Sequence, residues 1–161
     1  MPCALRLALA RKITFAQQCR EHVRYIRLSA SRRGKWHMGF RTEAQTPTRR
    51  GFDTFFGFWR CCSDYWHHGF KEDNGATDQT NATATGGLVA DRGHQDEYST
   101  LLYAREAIRL LRNHQPRSTP FYLYLAFQAV HGPYQAPDHY VRMCTRQHAA
   151  EPEETTLCAH I

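Results

Sequence analysis

Apolar positions gather in a few dense stretches separated by polar, glycine-containing ones. Phe52 to Trp59 is the stretch densest in aromatics and is expected to be buried. Between Asp96 and Asn113, residues Tyr98, Leu101, Leu102, Ala104, Ile108 and Leu111 recur at i, i+3 and i+4. That spacing predicts an amphipathic helix with Arg105, Arg109 and Arg112 facing outward. Asp96 and Glu97 suit its positive N-terminal end, and Pro116 stops it. Phe121 to Phe127 is a continuous apolar run between Pro120 and Gly132, the pattern of a strand covered on both faces. A helix followed by a buried strand predicts an α/β fold. Ligands in such folds collect beyond the carboxyl ends of the strands.

The segments between these stretches read differently. Residues 34–40 predict a strand end running into a glycine turn, and Thr46 to Gly51 a turn-rich link. Residues 71–95 are rich in Gly, Asp, Asn, Thr and Ala, which predicts a surface loop. Residues 1–33 have helix-compatible composition but no clean apolar stripe, and the sequence from Cys144 onward reads as a tail. The division expected is a basic segment 1–33, a central unit 34–141 and a tail 142–161.

Composition narrows the picture. A chain of 161 residues is enough for one domain. At 42% hydrophobic residues and a mean hydropathy of −0.64 it supports a modest core. No run approaches the ~18 apolar residues of a membrane span, so no transmembrane segment is expected. The formal charge of +6 is uneven: Met1 to Thr42 holds eight arginines, two lysines and a single acid, Glu21. Such an arm binds polyanions or is simply solvated. It lacks the aromatic pattern, zinc-finger spacing or RNA-binding motif that would name a nucleic-acid partner. Ala4 to Ala10, interrupted by Arg6, is too short for a convincing signal peptide.

The six cysteines form no regular framework, and adjacent Cys61 and Cys62 are poorly placed to pair with each other, so the redox compartment stays open. Cys61, Cys62, His67 and His68 are four potential zinc ligands in eight positions, at a spacing that matches no standard zinc site. Asn81-Ala82-Thr83 is a glycosylation sequon for a chain that enters the secretory pathway.

The candidate chemistry lies in two segments. In Gly34-Lys35-Trp36-His37-Met38-Gly39, an extended backbone would put Lys35 and His37 on one face and Trp36 on the other. Lysine is a compact charge suited to a sulfate or phosphate oxygen. Histidine can protonate a leaving alcohol near neutral pH. His131, just past the Phe121–Phe127 run, stands where an α/β sheet places ligand-binding residues.

Gly34 to Gly39, followed by Pro47-Thr48-Arg49-Arg50-Gly51-Phe52-Asp53-Thr54-Phe55-Phe56-Gly57, resembles the arylsulfatase B (N-acetylgalactosamine-4-sulfatase) branch of the sulfatase family. Tyr122-Leu123-Tyr124-Leu125-Ala126-Phe127-Gln128-Ala129-Val130-His131-Gly132-Pro133-Tyr134-Gln135-Ala136-Pro137 resembles the same branch. The resemblance covers about Gly34 to Val141. It implies a partial alkaline-phosphatase-like α/β fold with a mixed sheet flanked by helices, hydrolysis of sulfate esters such as those of glycosaminoglycans or aryl sulfates, and a lysosomal or secreted location. It also implies a Ca²⁺ ion held by carboxylates and an amide, and a formylglycine nucleophile made from cysteine. Carried over, Lys35 would hold a sulfate oxygen. His37 would orient or neutralise the nucleophile, and His131 would contact sulfate and act as acid toward the leaving group.

The departures are as informative as the matches. The family's nucleophile motif, Cys or Ser followed by x-Pro-x-Arg, fits none of the six cysteines, and Ser118-Thr119-Pro120 lacks the arginine. No aspartate occurs in residues 1–33 to supply the paired metal ligands, and residues 142–161 supply neither the later Asp-Asn pair nor a second lysine. Gln45 stands where the branch usually has a disulfide cysteine. The sequence therefore reads as an internal piece of a catalytic domain, expected to be inactive by itself. The alternative is a non-catalytic binder of sulfated glycans or other polyanions.

Overall fold

The computed structural model describes residues 29–69, 77–115 and 119–147. Most of the basic segment 1–33 and the final residues of the expected tail lie outside this range. Five strands form one sheet: β1 (Ser29–Gly34), β2 (Thr54–Phe58), β3 (Gln79–Thr83), β4 (Gly87–Ala90) and β5 (Phe121–Ala126), in the order β4-β3-β2-β1-β5. β1 runs parallel to both β2 and β5, whereas β2, β3 and β4 pair antiparallel. Helix α1 (Ser99–Asn113) joins β4 to β5, and helix α2 (Asp138–Gln147) follows β5. This is the α/β fold that the helix-then-strand pattern predicts, with the mixed sheet that the sulfatase resemblance implies. No helix among the described residues is long and apolar enough to cross a membrane.

The aromatic stretch builds the core on both faces of β2, because alternate residues of a strand point opposite ways. Phe55 packs with Ala30, Trp36, Phe52 and Ala82 on one face; Phe56 and Phe58 pack with Leu102 and Tyr103 of α1 on the other. The connection from β1 to β2 covers the first face, tightened by 3₁₀ turns at Glu43–Gln45 and Pro47–Arg49.

Four expectations change. First, β5 is not covered on both faces: Phe121 and Tyr124 are 49% and 43% exposed. Among the described residues it is the last strand in the sheet order and pairs with β1 alone. Second, residues 79–90 form a hairpin rather than a loop, because Thr80 and Ala82 bury alternate positions despite the turn-like composition. Third, α1 begins at Ser99, with Asp96 at a left-handed φ of 68° outside it and Glu97 bonded instead to Arg105 at 2.6 Å. Its buried face is Ser99, Leu102, Tyr103 and Ala107, while Leu101, Ile108 and Leu111 of the expected stripe are exposed. Tyr103 decides that rotation: its ring stacks on Phe58 and its buried hydroxyl donates to Gln79 Oε1 at 2.8 Å. Fourth, α2 carries the chain in helical form through Cys144 to Gln147, where a tail was expected.

β1 contains two cations that its position would not recommend. Arg32 and Arg33 are 5% and 3% exposed. Arg32 lies over the rings of Tyr124 at 4.1 Å and Trp36 at 4.8 Å, a favourable cation–π arrangement. Arg33 Nη1 donates to Arg32 O at 2.8 Å and Thr54 Oγ1 at 3.1 Å, but its buried Nε has no partner. Burial pushes both guanidinium pKa values well below the ordinary arginine value, to about 10.

A depressed pKa on a cation is a cost to the folded state. Between about 10 and the ordinary arginine value the unfolded chain binds more protons at Arg33, so stability rises with pH in that window, and the cost is borne in full below it. Replacing Arg33 with Met should therefore stabilise the fold at neutral pH by on the order of 1–3 kcal/mol. Urea unfolding of the two proteins at pH 7 and at pH 11 should show the gap shrinking at the higher pH.

Candidate functional site

The site is organised where β1 leaves the sheet. Gly34 has a φ of +90°, and a Cβ there would meet Ala126 O at 1.9 Å; a Cβ on Gly57 would meet Gly34 O at 1.9 Å. Only glycine allows this approach on both sides. The next three residues are then held by backbone bonds: Lys35 N–H to Ala126 O at 2.9 Å, Trp36 N–H to Phe58 O at 2.9 Å, and His37 N–H to Trp59 O at 3.0 Å. Trp36 is buried edge-on against Phe52 and Phe55, and its Nε1–H donates to Gly39 O at 2.8 Å and Gln45 O at 3.1 Å. Gln45 thus serves as an acceptor that closes the turn.

Lys35 is half-buried and His37 is exposed. The strand has already ended at Gly34, and His37 adopts a left-handed φ of 49°. Strand alternation therefore does not place the pair on one face; the backbone bonds on both sides of the segment set their positions.

His131 lies five residues beyond β5, past the same carboxyl edge of the sheet as Lys35. Its Nδ1 is 2.9 Å from Gly132 O. A carbonyl can only accept, so Nδ1 carries the hydrogen and Nε2 is left for a ligand or a transferable proton. Among the described residues no hydrogen bond or ion pair joins the side chains of Lys35, His37 and His131. The backbone brings Lys35 beside Ala126.

A set of residues missed in the sequence reading fixes the His131 loop. Tyr65 Oη donates to His131 O at 2.9 Å, and Tyr65 N–H donates to Gln135 Oε1 at 2.8 Å. Gln135 Nε2 donates to Asp64 Oδ2 at 2.7 Å, and Gln128 Nε2 donates to Ser63 O. Burial raises the Tyr65 hydroxyl to about 12, so it remains a donor at physiological pH. Asp64 is held below the usual carboxylate range by the backbone N–H groups of His67 and Trp66 and by Gln135, which outweigh its desolvation. Gln128 and Gln135 sit inside the second quoted segment, which is the one signal that could have singled them out.

Among the described residues no three His, Cys, Asp or Glu side chains converge on one point. Asp53 accepts from Ala30 N–H, Asp78 from Trp59 and Arg60 N–H, and Asp64 as above. The possible zinc quartet is likewise not assembled: His68 Nε2 contacts His94 O at 2.9 Å, and His67 faces Asp96 at 3.3 Å.

The comparison with known families decides the assignment. A family model described as Sulfatase matches residues 31–156. The chain belongs to the sulfatase family. Its sulfatase relatives include arylsulfatase J of Mus musculus, 37% identical over 119 residues, which cover 66% of this chain and 17% of that protein. An arylsulfatase of Klebsiella aerogenes is 32% identical over 68% of this chain and 23% of its own length. The N-acetylgalactosamine-6-sulfatase of Mus musculus is 32% identical over 64% and 20%. The chain thus spans about a fifth of the length of these curated sulfatases. Among solved structures, Ps i-CgsB is similar with a TM-score of 0.64 and 26% identity, covering 83% of this chain and 30% of that one. The sulfatase match begins within β1 and continues through α2, past residue 141.

The tether to His131 can be tested directly. Tyr65→Phe should lower unfolding free energy by about 1–2 kcal/mol, the cost of leaving the His131 carbonyl without its buried donor. Denaturant titration measures this, and an unchanged midpoint would show the bond to be dispensable.

Proposed function

We propose that this chain carries the sulfate-gripping part of a sulfate ester hydrolase of the arylsulfatase B type, with sulfated glycans such as glycosaminoglycans as the substrate class. The observation that carries the reading is the placing of Lys35 and His131 past the carboxyl ends of two neighbouring parallel strands, in a chain of sulfatase kinship. Lys35 supplies a point charge for a sulfate oxygen. His131 Nε2, once protonated, donates to a second sulfate oxygen and then to the departing alcohol oxygen. His37 faces solvent at the same edge and orients or neutralises the attacking group.

The attacking atom is another matter. The 161 residues contain no Cys-x-Pro-x-Arg or Ser-x-Pro-x-Arg segment. Loss of one preorganised electrostatic group already costs on the order of 10²–10³ in rate, so on this reading the 161 residues, which lack that nucleophile motif, bind the ester and do not turn it over. With a chromogenic aryl sulfate, we expect no hydrolysis above a Lys35→Ala, His131→Ala control. Turnover above that control would overturn the reading of inactivity. Retention on immobilised chondroitin sulfate should fall with added salt. It should weaken about tenfold or more in Lys35→Ala, as expected for one charge-assisted contact.

A secretory route to the lysosome or the cell exterior fits this substrate class. Two observations support it: Cys144 is in a disulfide, a bond favoured in oxidising compartments, and Asn81 is exposed on β3. Expression through a secretory pathway should give a glycan on Asn81. The wild-type band should drop on a gel after glycosidase treatment, while Asn81→Gln should run at the lower position from the start.

A further inference from the structure

Cys61 and Cys62 follow β2 directly, on the loop that also carries Ser63, Asp64 and Tyr65. Their sulfurs are 2.9 Å apart, and neither cysteine is in a disulfide. A disulfide needs ~2.05 Å, so less than an ångström separates the two thiols from bonding distance. The loop is pinned on both sides of the pair. Upstream, Trp59 and Arg60 N–H groups donate to Asp78 Oδ2 at 3.3 and 3.2 Å. Downstream, Gln128 holds Ser63 O, and Asp64 N–H donates to Gly69 O at 2.9 Å. Both thiols are half-buried, so they remain within reach of small molecules. The two cysteines are not bonded to each other in the folded loop, in keeping with the expectation that adjacent cysteines do not pair easily, yet their sulfurs lie side by side.

We propose that Cys61 and Cys62 form a redox-active vicinal dithiol whose reaction partner is a small-molecule disulfide of the glutathione type. One cysteine thiolate attacks a sulfur of oxidised glutathione, forming a mixed disulfide and releasing one glutathione thiolate. The neighbouring thiolate displaces the second glutathione and closes the Cys61–Cys62 bond. The two cysteine sulfurs lose two electrons in all, glutathione gains them, and the two thiol protons end on the released glutathiones. Closure is favoured because folding already holds the second sulfur beside the first, which makes the displacement effectively unimolecular. The pair lies outside the anion-gripping residues, and this inference does not depend on the proposed hydrolase role.

Trypsin tests it, since cleavage after Arg60 and Lys71 releases residues 61–71 with both cysteines and no other. The reduced chain is equilibrated with a glutathione redox buffer, quenched in acid and digested without reductant. The expected product is the 61–71 peptide lighter by two hydrogens and free of glutathione. The ratio of closed to open peptide should be about tenfold or more higher for the native chain than for the chain held in urea, a difference of about 30 mV for a two-electron couple. In Cys62→Ser, glutathione should remain on Cys61. Equal ratios in native and urea-held chains, a lasting glutathione adduct on the wild-type peptide, or a Cys62→Ser variant that sheds the adduct as fast as wild type would each overturn the proposal.

Discussion

Gly34 is wedged between Ala126 on one side and Gly57 on the other, at separations that leave no room for a Cβ on either glycine. This contact draws β5, β1 and β2 together at their carboxyl ends. It lets the next three residues hydrogen-bond outward in both directions, to Ala126, Phe58 and Trp59. Trp36 can then drop into the aromatic core while Lys35 and His37 stay at the rim. Everything proposed about anion binding rests on that rim being where two side-chain-free backbones meet.

A second layer of constraint ties the His131 loop to the loop after β2. The bonds run through Tyr65, Gln128 and Gln135, across separations of 65 to 71 residues. Three of the four join neutral groups; the fourth, from Gln135 to the Asp64 carboxylate, has that charge satisfied by hydrogen bonds from Gln135 and the backbone. Burial of the Tyr65 hydroxyl keeps it protonated at any pH the site would see. The opposing flaw is in β1, where Arg32 and Arg33 place two cations in positions a parallel sheet normally gives to aliphatic residues.

How much of this was legible depends on whether the signal is local. The aromatic stretch from Phe52 to Trp59 announced the core, although Trp59 itself is only half-buried, and the glycine-bounded segments announced the candidate residues. The face of α1 was misjudged because Tyr103 was not counted as apolar, although its ring stacks on Phe58 and its hydroxyl finds a buried amide. The burial of β5 was overestimated because an apolar run reports preference, whereas exposure depends on what lies beside the strand. The hairpin at β3 and β4 escaped because threonine, asparagine and glycine serve strands and turns alike. The tethers to His131 left no local trace, since Tyr65 and Gln135 are 70 positions apart.

The stitching of these two loops also bears on how the chain can vary in length. An extra residue between Arg60 and Tyr65 would shift Ser63, Asp64 and Tyr65 out of step with Gln128, His131 and Gln135. It would need a matching change in the other loop to restore the register. The tip of the β3–β4 hairpin, exposed around Ala84 to Gly86 and closed by a local bond from Gly86 N–H to Thr83 Oγ1, has no such obligation. Insertions should therefore collect at that tip, while the loops beside Lys35 and His131 keep a fixed length.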